Sequence, residues 1–171
     1  MNFKKGYKKT IGYTPICKIG ECSLKKLEFG IIELEAGGKQ EFDTLEKETA
    51  FIILEGHCNV SFDETCWENV GNRSTVFENR KAESFYMPRN QKLVIEAVDH
   101  VKIAVCATPV SEKTEPQLLR EDHVVLRLLG EVPFLRETSF IIDGNSNAKI
   151  LTIGESYVTE GNWAGFPPHK H

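Results

Sequence analysis

The chain has 171 residues, with 21 Lys plus Arg against 25 Asp plus Glu, giving a formal net charge of −4. At 40% hydrophobic and 27% charged, it has the balance of a globular protein able to bury a sizeable core, as one large domain or one domain and part of another. The acidic balance excludes the basic field a general nucleic-acid binder needs, and no apolar run approaches the roughly 20 residues of a membrane-spanning helix.

Lys4, Lys5, Lys8 and Lys9 read as a solvated basic arm, with no apolar stretch of signal-peptide length around them. The cysteines, Cys17, Cys22, Cys58, Cys66 and Cys106, include no Cys-x-x-Cys pair, so reduced thiols in a cytoplasmic protein are expected. Cys58 and Cys66 could face each other across a hairpin, but free thiols are the expectation there too.

Short strand signals then recur, punctuated by Gly, Asn and Asp. Residues Phe29 to Glu35 alternate and stop at Ala36-Gly37-Gly38. Ala50-Phe51-Ile52-Ile53-Leu54 is continuously apolar, as in a strand buried on both faces. Gly56 breaks it, and Cys58 to Phe62 returns as the arm of a hairpin. Ser74 to Phe77, Phe85 to Met87, Leu93 to Val98 and Val101 to Cys106 follow as further strands, the last two flanking Asp99-His100. Such spacing predicts an all-β sandwich or barrel.

Pro109, Glu112, Lys113, Thr114, Glu115 and Pro116 mark a surface connector. Strand signals resume at Phe140 to Asp143 and again at Lys149 to Ile153. The expected organisation is a complete barrel over residues 1–112, a connector over 113–122 and the first strands of a second β unit over 123–171. A faint similarity between Ile31–Gly38 and Leu151–Gly161 agrees with two tandem copies. Strands of an unclosed barrel expose edges and apolar faces, so they are expected to pack on the first barrel or on another chain as a homo-oligomer.

The sharpest chemical feature is His169-Lys170-His171. Side chains two apart on a strand share a face, so two imidazoles can grip one metal ion. The spacing alone is a weak signal, and a terminal His-Lys-His also fits an affinity-tag remnant. Pro167-Pro168 holds the lead-in extended, and Trp163 and Phe166 offer apolar walls. Elsewhere, Glu46 and Glu48 fit a hard-cation site or, more simply, a solvated hairpin loop. His57, Cys58 and Cys66 fit a soft-metal site or an ordinary hairpin. His100 and His123 read as surface residues. Arg73, Arg89, Arg127 and Arg136 are candidates for a carboxylate ligand, and Glu155 and Glu160 for a proton-transferring base or plain strand-end charges.

The stretch Gly161-Asn162-Trp163-Ala164-Gly165-Phe166-Pro167-Pro168-His169-Lys170-His171 resembles the signature of the 5-deoxy-glucuronate isomerases of bacterial inositol catabolism. Gly30 to Gly37, Val70 to Glu78 with Tyr86 to Arg89, and Ile103 to Pro109 are similar to further family blocks, so the resemblance spans most of the chain. It implies a bicupin of two tandem jelly-roll barrels, the first without metal ligands and the second binding metal. It further implies interconversion of 5-deoxy-D-glucuronate and 5-dehydro-2-deoxy-D-gluconate, with His169 and His171 as ligands of zinc. Trp163 and Phe166 would line a pocket for the sugar acid. Ala164, Gly165 and Phe166 depart from the family's Ser, Ser and Tyr. The family's remaining ligands, a glutamate and a further histidine, would lie beyond residue 171, so the chain is expected to be a fragment or the product of a shortened gene. The alternative is a non-catalytic module for sugar binding or oligomerisation, and a third reading is an iron-dependent cupin oxygenase.

Overall fold

The computed structural model describes residues 7–21, 24–78 and 80–165. Six strands form the first sheet in the order β1 (Gly12–Cys17), β2 (Glu28–Leu34), β9 (Val101–Pro109), β4 (Lys47–Glu55), β7 (Ser84–Met87) and β10 (Gln117–Leu119). Four more, β3 (Lys39–Asp43), β8 (Lys92–Ala97), β5 (Cys58–Phe62) and β6 (Thr65–Val70), form the opposing sheet. Every pairing is antiparallel. Consecutive strands fall in opposite sheets (β2 and β3, β4 and β5), so the chain wraps as a jelly roll of the cupin type.

Side-chain alternation decides what lies between the sheets. From the first sheet Ile32, Leu34, Phe51, Ile53, Phe85, Ile103 and Val105 point inward, and meet Val60, Leu93 and Ile95 from the second. Phe51 stacks on Phe85 at 4.5 Å and meets Phe42 edge-on at 5.1 Å. Each large side chain so buried contributes about 1.5–3 kcal/mol, and the interior is a packed apolar core.

The outer face of the first sheet is also covered. A third sheet, β11 (Val125–Leu129), β12 (Arg136–Ile142) and β13 (Ile153–Tyr157), follows a short 3-10 turn at Glu121–His123. Ile31, Ala50, Ile52, Tyr86 and Ala104 of the barrel pack against Val124, Ile141, Ile142 and Leu151. This double coverage is why residues 50–54 read as continuously apolar. The strands after residue 123 therefore pack on the first barrel, one of the two arrangements expected. Part of the anticipated connector, Gln117–Leu119, is itself a strand that pairs with β7.

Polar ties reinforce the seam. The Glu48 carboxylate is fully buried on the outer face of β4. It accepts hydrogen bonds from the backbone N–H groups of Lys149 (2.8 Å), Ile150 (2.7 Å) and Leu151 (2.8 Å), and from the Tyr86 hydroxyl at 3.1 Å. Burial first, and Glu48 beside it, push the Tyr86 phenol up to about 12. The expected solvated loop at Glu48 is thus replaced by an anchor. The expected strand from Lys149 starts only at Ile153, because three of its amides serve Glu48 rather than a neighbouring strand. Glu46, by contrast, is exposed and ion-paired with Arg89.

Ser74 to Phe77 is not a strand: Glu78 accepts from the Ser74 N–H at 2.9 Å and from its hydroxyl, curling the segment into a turn. Gly56 turns the chain from β4 to β5 at φ +79°, where a Cβ would meet the His100 carbonyl oxygen at 2.0 Å. Cys58, Cys66 and Cys106 are free thiols, whereas Cys17 is in a disulfide, against the expectation of reduced thiols throughout.

Replacing Glu48 with Ala leaves three backbone donors without their acceptor, while the Tyr86 hydroxyl keeps the Thr114 hydroxyl at 2.7 Å. The expected loss is about 3 kcal/mol, read as a lower midpoint in equilibrium urea denaturation; an unchanged midpoint would remove the anchor from the account.

Candidate functional site

Polar chemistry gathers where β2, β4 and the β8–β9 turn end together. Glu33 lies on the outer face of β2, its side chain only 2% exposed. Its carboxylate accepts from Lys9 Nζ (2.6 Å), Tyr7 Oη (3.2 Å) and His100 Nε2 (3.1 Å). The other ring nitrogen of His100 lies 3.3 Å from Glu55. Next to it, the His57 Nδ1 bonds Asp99 Oδ2 at 2.7 Å, and the same carboxylate accepts the His57 N–H at 2.6 Å. Burial alone would raise the Glu33 carboxyl, but Lys9, His100 and Tyr7, with Lys102 nearby, hold it below the usual range.

Glu33, Glu55 and His100 place one ligand atom each within 4.8 Å of one another, the sole such trio among the described residues. Two carboxylates and an imidazole suit a divalent cation. Lys9, 2.6 Å from Glu33, offsets one of the two carboxylate charges. Sequence reasoning missed it, because its members come from three segments far apart in the chain.

The anticipated residues are distributed differently. His169, His171 and Phe166 lie outside the described residues. Trp163 is 65% exposed, and its backbone N–H donates to the Pro133 carbonyl at 2.7 Å. Arg73 is fully buried, donating to the Ile53 carbonyl and, through two nitrogens at 2.8 and 2.5 Å, to Glu155. Burial by itself lowers the Arg73 guanidinium, but Glu155 more than reverses this. Both residues thereby tie β13 to the barrel. Arg89 donates to the carbonyls of Val110 and Ser111. Arg127 and Arg136 share one face of the β11–β12 ladder, with the Arg127 guanidinium 5.3 Å from the Phe140 ring centroid. His57, Cys58 and Cys66 do not converge: His57 serves Asp99, Cys58 faces the core, and Cys66 sits opposite Ser61 on the exposed side. His123 pairs with Asp122 at the surface, and Glu160 is exposed. Among the described residues no helix is long and apolar enough to cross a membrane.

Two outcomes follow from this geometry. Replacing Arg73 with Met strands Glu155 at the seam and should cost about 3 kcal/mol in urea denaturation. Because the folded carboxyl of Glu33 titrates below its unfolded value of about 4.5, its stabilising contribution is complete above that value and is lost as pH falls through the depressed one. Glu33→Gln should therefore flatten the fall in melting temperature between about pH 5 and pH 3, measured by circular dichroism; an equally steep fall would contradict the assignment.

The chain is 28% identical over 155 residues to the 5-deoxy-glucuronate isomerase of Bacillus licheniformis, covering 90% of this chain and 57% of that protein. It is 31% identical over 151 residues to the enzyme of the same name from Halalkalibacterium halodurans, covering 87% and 56%. The chain thus spans just over half the length of these curated relatives. An IolB-like protein of Salmonella typhimurium LT2, known from its crystal structure, superposes with a TM-score of 0.86 at 21% identity, over 93% of this chain and 60% of the other. That likeness establishes the shared fold. The KduI/IolB family matches residues 4–171, nearly the whole sequence, and the chain belongs to that family.

Proposed function

We propose that the protein to which this chain contributes is a cytoplasmic aldose–ketose isomerase interconverting 5-deoxy-D-glucuronate and 5-dehydro-2-deoxy-D-gluconate. The observation that carries this reading is the family match over residues 4–171, joined to relatives named for that activity. His169 and His171 would hold the divalent metal, with zinc favoured by the preference of paired imidazoles. Bound there, the metal would supply Lewis-acid chemistry to the substrate.

The chain's own residues supply binding and shape. Trp163 and Phe166 would line the sugar-acid pocket. Arg73 and Arg89 are engaged in the fold, so the substrate carboxylate falls to Arg127 or Arg136, which share a face and have no acidic partner among the described residues. Glu155 is held by Arg73 at the seam and is not free to carry the proton that must pass between C1 and C2.

A second reading, a non-catalytic module for sugar binding or oligomerisation, draws support from the first barrel. Its interior cluster is apolar, and its donor trio, Glu33, Glu55 and His100, lies outside that interior at the strand ends.

The test is direct. The zinc-loaded protein is incubated with 5-deoxy-D-glucuronate in deuterium oxide, and the C1 and C2 protons are followed by NMR. Conversion is expected, abolished by chelation, restored by zinc and reduced at least about 1,000-fold by His169→Ala. A well-folded, metal-loaded protein that neither converts the sugar nor exchanges its C2 proton would sink the isomerase reading.

A further inference from the structure

The inward-facing positions of the first sheet change character at one level. Reading toward one end of the barrel, β9 presents Val101, Ile103 and Val105, then Ala107; β4 presents Ile53 and Phe51, then Thr49; β2 presents Leu34 and Ile32, then Gly30 and Glu28. Glu28, Ala107 and Thr49 are direct neighbours in register across these three strands. A small residue on the middle strand, between two polar ones, opens a cup of about 380 Å³ lined by Tyr13, Glu28, Phe42, Lys47, Thr49 and Ala107.

The cup is built from held groups. Lys47 Nζ lies 2.7 Å from Glu28 Oε2, with the two side chains 25% and 17% exposed. The Tyr13 ring lies over Gly30, where any Cβ would come within 2.5 Å of it, and meets Phe42 edge-on at 5.2 Å. At the cup's floor Thr49 is fully buried, and its hydroxyl has no hydrogen-bond partner among the described residues. A buried hydroxyl left unpaired is costly, and Val would fill the same space without that cost. The β2, β9 and β4 ladders already hold these strands together, so the fold needs neither the ion pair nor the hydroxyl.

The chemistry selects a ligand class. An aromatic wall, one carboxylate acceptor, one ammonium donor and a hydroxyl match the apolar C–H face and the hydroxyls of a sugar. The wider rim carries Lys18 and Lys47 against Glu28, Glu41 and Asp43, which disfavours an anion. We propose that the mouth of the first barrel binds one neutral monosaccharide or polyol. This site is separate from His169 and His171 and stands whether or not the isomerase reading holds.

The test is an amide NMR titration of the full chain with D-glucose, with D-glucuronate as a probe of similar size carrying a negative charge. Saturable shifts centred on Tyr13, Thr49 and Ala107 are expected. D-glucuronate should bind at least about 10-fold more weakly. Thr49→Val should weaken glucose binding about fivefold while raising the urea midpoint, because the orphaned hydroxyl is gone. Lys47→Met should weaken binding by a similar factor, and His169→Ala should leave it unchanged. Non-saturating or scattered shifts, equal affinity in both cup variants, or tighter binding of D-glucuronate would each overturn the proposal.

Discussion

A carboxylate removed from water is tolerated only when its lone pairs are filled. Glu48 achieves this with three consecutive backbone N–H groups and one phenol. Much of the architecture depends on that solution. For the barrel, it fixes a cover over the outer face of β4, which allows Ala50 and Ile52 to be as apolar as Phe51 and Ile53 on the inner one. For the third sheet, it withdraws residues 149–151 from strand pairing and sets the register from which β13 departs at Ile153. The apolar contacts of Ile141, Ile142 and Leu151 supply attraction without direction. The directional bonds to Glu48 decide where that attraction is used.

The same division recurs along the seam. Arg73 lies just beyond β6, reaches the Ile53 carbonyl near the end of β4, and closes on Glu155 of β13. Arg120, beyond β10, meets Glu83 at 2.7 Å and the carbonyls of Glu68 and Asn69. Each tie joins the first barrel to chain beyond residue 110, and each uses a group that is costly to bury alone. Residues of the kind often assigned to chemistry are here committed to holding two sheets in register.

How far the sequence discloses this depends on whether the signal is local. β4, β8, β9 and β12 are legible because an apolar run or alternation lies within a single window. β3 is not, because Lys39-Gln40-Glu41-Phe42-Asp43 turns only Gln40 and Phe42 inward and offers one apolar residue to read. Val76-Phe77 looks like a strand but belongs to a turn fixed by Glu78. Glu48 looks solvated, with charged residues near it in sequence, yet its partners lie more than 100 positions away. His100 stands between two carboxylates, and only the fold brings those together. The family signature was legible because its residues are contiguous, and it carries the functional reading almost unaided.

Two sets of polar groups in the first barrel contrast. Glu48, Arg73 and Glu83 bond to elements that the sheets alone would not hold, and their burial has a structural reason. Glu28 and Lys47 flank β9, which already pairs with both of their strands along its length. Their ion pair adds no connection that the ladders lack, and partly exposed pairs stabilise little. Thr49 between them carries a cost with no compensating bond among the described residues. A barrel shaped for stability alone would continue its row of Val, Ile and Phe to the rim. That it stops one residue short, on three adjacent strands at once, is a pattern that packing does not explain.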